Sequence, residues 1–301
     1  MSDVVPGVMT LVDDTRCELG ECILWCERTG RLLWTDIQGE ALWMRKPADG
    51  KSVAWRLPER LGSFALTQDD DCLLLGLASR LALLRFSSGA ITTLCEVEAA
   101  LPNTRINDGR CDRQGRFVFG TFNQDEGHAP IGGFYRLNLD LQLEALPLPK
   151  VGIANSICFS PDGRTMYYCD SPQKIIRCCD YGADGTIANQ RQFADLRGET
   201  GEPDGSTVDA AGYLWNARWG GGRIARHAPD GRIERVLTLP VAQPTCVALG
   251  GPGLSTVYAS TAWRGLSEHE RVAQPLAGGV FASMQSDLAG LPEQRFLGSL
   301  A

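Results

Sequence analysis

Histidine is scarce in this chain: His128, His227 and His269 are the only three among 301 residues. They fall at unrelated places in the repeat described below, which leaves little support for a zinc–histidine centre or a Ser/His/Asp triad. No Cys-x-x-Cys pair occurs, and the eleven cysteines are an odd number. Many sit at strand-like apolar positions (Cys22, Cys72, Cys111, Cys158, Cys169, Cys246), so the expectation is reduced, mostly buried thiols rather than a disulfide frame. No run of about 18 apolar residues offers a membrane span. Met1-Ser2-Asp3 does not open a basic segment leading into an apolar core, so no export signal is read and a cytoplasmic location is expected. Basic clusters are missing as well. The formal net charge is -7 and the pI about 5.1, which argues against nucleic acid or an anionic membrane face as partner. Gly220-Gly221-Gly222 is followed by no Lys-Ser/Thr, so it is not a phosphate loop. The sequence carries no mark of an oligomeric state.

What is present is a repeat. In Glu202-Pro203-Asp204-Gly205-Ser206-Thr207-Val208-Asp209-Ala210-Ala211-Gly212 an acidic residue, Asp204, stands eight positions before a turn glycine. Asn155 stands eight before Gly163, Asn107 eight before Gly115, Thr245 eight before Gly253 and Ser63 eight before Asp71; Glu21 stands nine before Gly30. A short strand-like run follows each turn, such as Arg31-Leu32-Leu33-Trp34 or Thr165-Met166-Tyr167-Tyr168. Turn positions at 30, 71, 115, 163, 212 and 253 are separated by 41, 44, 48, 49 and 41 residues. Short Val-, Ile-, Leu- and aromatic-rich runs punctuated by Asp-Gly at that period predict an all-β fold, a six-bladed β-propeller with four antiparallel strands per blade. Segments of helical period are missing, and no linker divides the chain, so one domain over residues 1–301 is expected. The outer strand of the last blade comes either from residues 294–298 or from 9–13. Two longer polar connections, 123–130 and 262–274, are placed to border a binding site.

In a propeller, equivalent positions of the innermost strands converge on the central channel. Those positions hold Glu21, Ser63, Asn107, Asn155, Asp204 and Thr245, and none is apolar. Two carboxylates and two carboxamides at one mouth suit a hard or borderline divalent cation: Ca, Mg, Mn, or Zn with oxygen ligands. Asp162-Gly163 and Asp230-Gly231 read as ordinary turns. Asn155 lies in an apolar setting where a hydrogen-bonded core amide is the alternative to a ligand. Glu21, a charge inside an apolar run, is either a ligand or the partner of an arginine. Ser63 and Thr245 line the channel.

The succession Gly20-Glu21 with Trp25, Arg105-Ile106-Asn107-Asp108-Gly109 with Asp112 and Gly115-Arg116, and Gly120-Thr121 resembles the regucalcin/gluconolactonase family of six-bladed propellers. So do Asn155 with Ser160-Pro161-Asp162-Gly163, Pro203-Asp204-Gly205 with Asp209 and Gly212, and Gln274-Pro275-Leu276-Ala277-Gly278-Gly279. The resemblance implies hydrolysis of a sugar lactone (glucono-, galactono- or arabinono-) with one divalent metal ion held by Glu21, Asn155 and Asp204. It implies substrate contacts from Arg105 and Asn107, a loop-fixing role for Asp108, and an acidic group from the loop after Gly120-Thr121, where Asp125 is the candidate with Glu126 beside it. A cation at the carbonyl oxygen would stabilise the charge that builds there. Asp204 is the expected general base, with hydroxide on the cation as the alternative. Two other readings compete: a hydrolase of the same fold acting on other esters or phosphotriesters, and a non-catalytic calcium-binding propeller.

Overall fold

At the foot of each inner strand the chain must reverse within a few residues, and Asp112 and Asp209 do this in the same way in the computed structural model, which describes residues 4–299. Met1-Ser2-Asp3, read above for an export signal, lies outside them. One carboxylate oxygen of Asp112 accepts the backbone N–H groups of Gln114 (3.0 Å) and Arg116 (2.9 Å), and the other pairs with the Arg116 guanidinium (2.6 Å). Asp209 accepts Ala211 and Tyr213 N–H at 3.0 Å each, the Trp215 indole at 3.0 Å and the Arg226 guanidinium at 2.7 Å. Such side-chain-to-backbone bonds favour a tight turn over a continued strand. The turn glycines Gly115 and Gly212 both adopt φ 83°, a conformation that costs other residues a Cβ clash.

The turns separate six sheets set around an axis as a six-bladed propeller. Blade one runs Gly20–Cys26, Arg31–Asp36, Ala41–Lys46, Lys51–Arg56; blade two Leu61–Leu66, Cys72–Leu77, Arg80–Arg85, Ala90–Glu96. Blade three is Thr104–Cys111, Phe117–Asn123, Phe134–Leu137, Leu143–Ala145; blade four Ala154–Phe159, Thr165–Asp170, Ile175–Tyr181, Ile187–Asp195. Blade five is Glu202–Val208, Leu214–Trp219, Arg223–His227, Ile233–Thr238; blade six Pro244–Gly250, Thr256–Thr261 and Val280–Met284. Each inner strand packs on the inner strands of both neighbouring blades. Leu24, Leu33, Leu42, Phe64, Leu66 and Leu75 show what fills the gap between blades one and two.

The ring closes through the N-terminal segment. Thr10–Asp13 pairs antiparallel with Val280–Met284 and completes blade six, covering an edge that would otherwise be free to pair. Residues 294–298 do something else: Phe296 N–H bonds Leu66 O (2.7 Å), Leu297 N–H bonds Gly115 O (2.9 Å), and Arg295 pairs with Asp70 (2.9 Å), so this segment straps the foot of the channel. Beyond the four antiparallel strands expected in every blade, blade five carries a fifth, Val5–Val8, parallel to Ile233–Thr238. The polar stretch 262–274 contains one short helix, Glu268–Ala273, started by a reciprocal Ser267–Glu270 cap. All eleven cysteines are free and ten are buried. No helix among the described residues is long and apolar enough to cross a membrane.

One buried group makes this fold sensitive to acid. His227, fully buried on blade five, donates from Nδ1 to Gly231 O (2.8 Å) and accepts the Arg218 guanidinium at Nε2 (2.8 Å). Arginine only donates, so the imidazole is neutral. Burial, with the Arg218 charge second, lowers its pKa to about 4 from the ordinary 6.5. The unfolded chain therefore binds a proton that the folded one refuses between those values, and stability rises with pH across that window. We expect His227 to contribute a loss of the order of 3 kcal/mol from pH 7 to pH 4, read by chemical denaturation as the difference in pH slope between the parent and His227→Gln, since the raised acids of the channel contribute with the opposite sign. An unchanged pH slope in that variant would remove the assignment.

Candidate functional site: an oxygen-lined channel mouth

Antiparallel strands in even register would turn every second side chain into a blade interface. Instead, each inner strand breaks register where its matched residue stands: between Glu21 and Leu24, Leu61 and Ser63, Ile106 and Gly109, Asn155 and Cys158, Pro203 and Ser206, and Pro244 and Cys246. A bulge re-aims the side chain beside it. Cys22 (φ 45°) and Ser156 (φ 61°) absorb the turn in the left-handed region just after Glu21 and Asn155. Gly205 follows Asp204 because a Cβ there would lie 2.8 Å from Cys246 Cβ and 2.6 Å from its Sγ.

The re-aimed groups form a frame of hydrogen bonds that crosses from blade to blade. Arg105 Nη1 donates to Asn107 Oδ1 (2.7 Å); Asn107 Nδ2 donates to Ala154 O (2.8 Å) and Asn155 Oδ1 (3.1 Å). Asn155 Nδ2 donates to Ser171 Oγ (2.9 Å), whose own proton goes to Pro203 O (2.7 Å). The carbonyl of Asp204 accepts both Ser156 Oγ (2.7 Å) and Asn216 Nδ2 (2.8 Å). Asn216 is turned in turn by a short hydrogen bond from the buried Arg218 to its Oδ1. Asn155 thereby keeps its carboxamide nitrogen on the frame, while Oδ1, which accepts one bond from Asn107, retains a second lone pair for a ligand.

The carboxyl groups of Glu21 and Asp204 meet at this mouth. Burial first, then the charge of Asp108, pushes Glu21 up to about 8. Asp204 is raised well above the carboxylate range by burial first, then by Glu21 and Asp108. Asp204 Oδ1 is buried and has no hydrogen-bond partner in the protein. Two crowded acids and an orphaned oxygen are what a cation would relieve. Among the described residues no group of three or more His, Cys, Asp or Glu side chains is disposed around a metal. The donor set on offer is two carboxylates plus the Asn155 carboxamide, all oxygen, and it fits a hard divalent ion.

Asp108 Oδ2 accepts Ile157 N–H (2.7 Å) and ties blade three to blade four; burial raises it to about 6. Arg105, 3% exposed, lies 4.7 Å from the Phe122 ring centroid, and its Nε has no partner. Thr245 Oγ1 is spent on Gly20 O (2.5 Å) and Ser260 (2.8 Å), while Ser63 Oγ is buried and unbonded. Asp125 is exposed and accepts from Asn103 Nδ2 (2.8 Å); Gln124 and His128 of that loop are half-buried, and Gln124 accepts from Arg60. Cavities of about 740 Å³ and 590 Å³ open elsewhere, at the feet of blades three and four and of blades one and two, and none of the converging residues lines them.

Ser171, Ser156, Asn216 and Arg60 were not singled out from sequence. Ser171 is two residues beyond Cys169, the ladder partner of Asn155, and only the register reveals its reach. If Ser171 holds Asn155 in place, Ser171→Ala should weaken divalent-cation affinity by about 10- to 100-fold with little change in thermal midpoint. Calorimetric titration checks it, and an unaltered affinity would make the hydroxyl a purely structural link.

The family profile described as SMP-30/Gluconolactonase/LRE-like region matches residues 19–263. The chain is 52% identical over 297 residues to L-arabinolactonase of Azospirillum brasilense, covering 97% of both chains. It is 35% identical to 6-deoxy-6-sulfogluconolactonase of Pseudomonas putida, over 93% of this chain and 95% of that one. The crystal structure of a calcium-binding regucalcin from Agrobacterium tumefaciens superposes with a TM-score of 0.92 at 29% identity, over 98% of this chain and 99% of that one. This chain belongs to the SMP-30/gluconolactonase family, which also takes in regucalcin.

Proposed function

We propose that this chain hydrolyses a sugar lactone to the sugar acid with the help of one divalent metal ion, and that its substrate is a pentonolactone of the arabinono type. The chain is a lactonase, a carboxylic ester hydrolase; the likeness to L-arabinolactonase supports the pentose, and the likeness to a calcium-binding regucalcin supports calcium. The observation that carries the metal is the orphaned Asp204 oxygen against the Glu21 carboxyl. Glu21, Asp204 and Asn155 Oδ1 would hold the ion. When bound, it supplies Lewis-acid stabilisation of the carbonyl oxygen.

The residues do the rest. Asp204, whose Oδ1 has no hydrogen-bond partner in the protein, takes a proton from the attacking water as the water oxygen bonds to the carbonyl carbon. The ring C–O bond then breaks, the ring oxygen takes up the proton held by Asp204, and the new carboxylic acid loses its own proton to solvent and leaves as a carboxylate. Arg105 Nη1 is engaged by Ile106 O and Asn107, but Nε has no protein partner, so this guanidinium can still bind the hydroxyls and ring oxygen of the substrate. Asn107, whose carboxamide is spent on Arg105, Ala154 and Asn155, acts by orienting the first and third of these. Asp125 borders the entrance. Unpaired thiols throughout suit a reducing compartment. Proton release by pH-stat on L-arabinono-γ-lactone, against hexonolactones and a simple ester, tests the reading. Ester turnover without lactone turnover would reject it.

A further inference from the structure

Beside the acidic mouth stands a cationic wall, of which the lactonase mechanism engages Arg105 alone. Arg105 lies over Phe122, and two residues on, just past the same strand, Gln124 accepts a hydrogen bond from Arg60. Side chains at i and i+2 of an extended segment point to one side, so the two guanidinium groups are neighbours. The segment bearing Arg60 is also pressed onto blade three: a Cβ on Gly62 would lie 2.2 Å from Ile106 O and 3.1 Å from Asn107 O. Among the described residues, Arg60 bonds a neutral amide, and Arg105 bonds a carbonyl and a carboxamide while its buried Nε bonds nothing. The charges of Glu21 and Asp204 also reach Arg105, without a hydrogen bond to it, and Arg264, a third cation within reach, is by contrast paired with Glu18 at 2.9 Å. Two adjacent guanidinium groups without a carboxylate of their own repel, and an anion between them reverses the sign of that interaction.

We propose that Arg60 and Arg105 form an oxyanion subsite at the channel mouth, which receives the carboxylate of a sugar acid. The planar fork of arginine matches a carboxylate in two-point contact. Such a group has two sources: the acid that lactone opening produces, bound with its chain reversed so that its carboxylate faces the arginines, or an acidic substituent carried by the lactone on a carbon remote from its carbonyl. The inference rests on the lactonase reading only for the first source.

The test titrates the whole protein by calorimetry with sodium arabinonate and, separately, with arabinitol, its neutral counterpart. Arabinonate should bind at least about tenfold more tightly, less so at high salt. Arg60→Gln should remove about tenfold of that preference, with arabinitol unaffected and the thermal midpoint kept; Arg60→Lys should retain part of it. A second arm compares kcat/KM for a lactone bearing a terminal carboxylate with its neutral analogue in both proteins. A drop in that ratio assigns the subsite to substrate, and a drop in arabinonate affinity alone assigns it to product. The proposal fails if Arg60→Gln changes neither, if arabinitol binds as well as arabinonate, or if the variant only lowers the midpoint, which would make Arg60 a lace between blades two and three. Absence of turnover on every lactone would sink the lactonase reading while the calorimetry still decides the subsite.

Discussion

Asp204→Asn should cut lactone turnover by about 10²- to 10⁴-fold, the range general-base catalysis spans, and leave the propeller folded. The substitution keeps the shape of the side chain, so the blade contacts of Pro203, Gly205 and Ser206 are undisturbed. It also breaks no hydrogen bond to the side-chain Oδ1, which has none, and the Ser156 and Asn216 bonds go to the backbone carbonyl. Removing a buried charge that is crowded by Glu21 and Asp108 relieves repulsion, so the thermal midpoint should hold or rise. Loss of turnover with an equal or higher midpoint is the signature of a functional site held against stability. Turnover within a few-fold of the parent would take the base role from Asp204. A collapse of the fold would show that the carboxylate is a structural group.

The ring and its site positions differ in how far they were legible. Blade count came from turns, because an Asp or Gly at the foot of each inner strand is a local requirement that recurs wherever the strand reverses. Residues such as Glu21, Asn155 and Asp204 stood out because a propeller has one matched position per blade, and a polar residue there is conspicuous in an apolar strand. Their bulges were not legible: six breaks in register answer to the way inner strands crowd one another, which no single strand encodes. Ser171 and Asn216 were hidden for a related reason. Asn216 belongs to a second strand and Ser171 directly follows one, and the reach of each to the Asp204 carbonyl or to Asn155 depends on ladder register. Closure was undecided between residues 9–13 and 294–298, since both read as short strands. The outcome turned on Phe296 and Arg295, which find a buried seat and an ion pair at the foot of blade two.

The buried charges argue the same point from energetics. Arg110 sits in the channel with Glu293, the residue just before the strap, at 3.3 Å and donates to Ser206 O at 3.0 Å. Asp108 above it answers to Ile157 N–H. The lower channel is thus compensated within the protein. The upper channel is not: Glu21 and Asp204 face each other, Asp204 Oδ1 is unpaired, and Arg105 spends its bonds on neutral groups. A chain that satisfies one half of a polar channel and leaves the other half short of a cation has that deficit at the place where lactone chemistry is proposed.

Chelation should therefore abolish lactone hydrolysis, and adding back a divalent cation should restore it. Calcium is expected to work, and magnesium, manganese and zinc are to be compared, because an all-oxygen set does not select sharply among them. The same ion should stabilise the fold. Glu21 and Asp204 stand 183 positions apart in the sequence, so the unfolded chain has no such site, and a ligand at about 100 times its Kd adds about 2.7 kcal/mol. For a chain of this size that amounts to a rise of several degrees in thermal midpoint, at about 2–4 °C per kcal/mol. Asp204→Asn and Glu21→Gln should each lose most of the rise, since removing a ligand charge weakens the ion more than it weakens the protein. Turnover that survives exhaustive chelation, with no shift of the midpoint on adding any of the four ions, would leave the acids at the mouth as a proton-sharing pair and the catalysis to Asp204 and Arg105 alone.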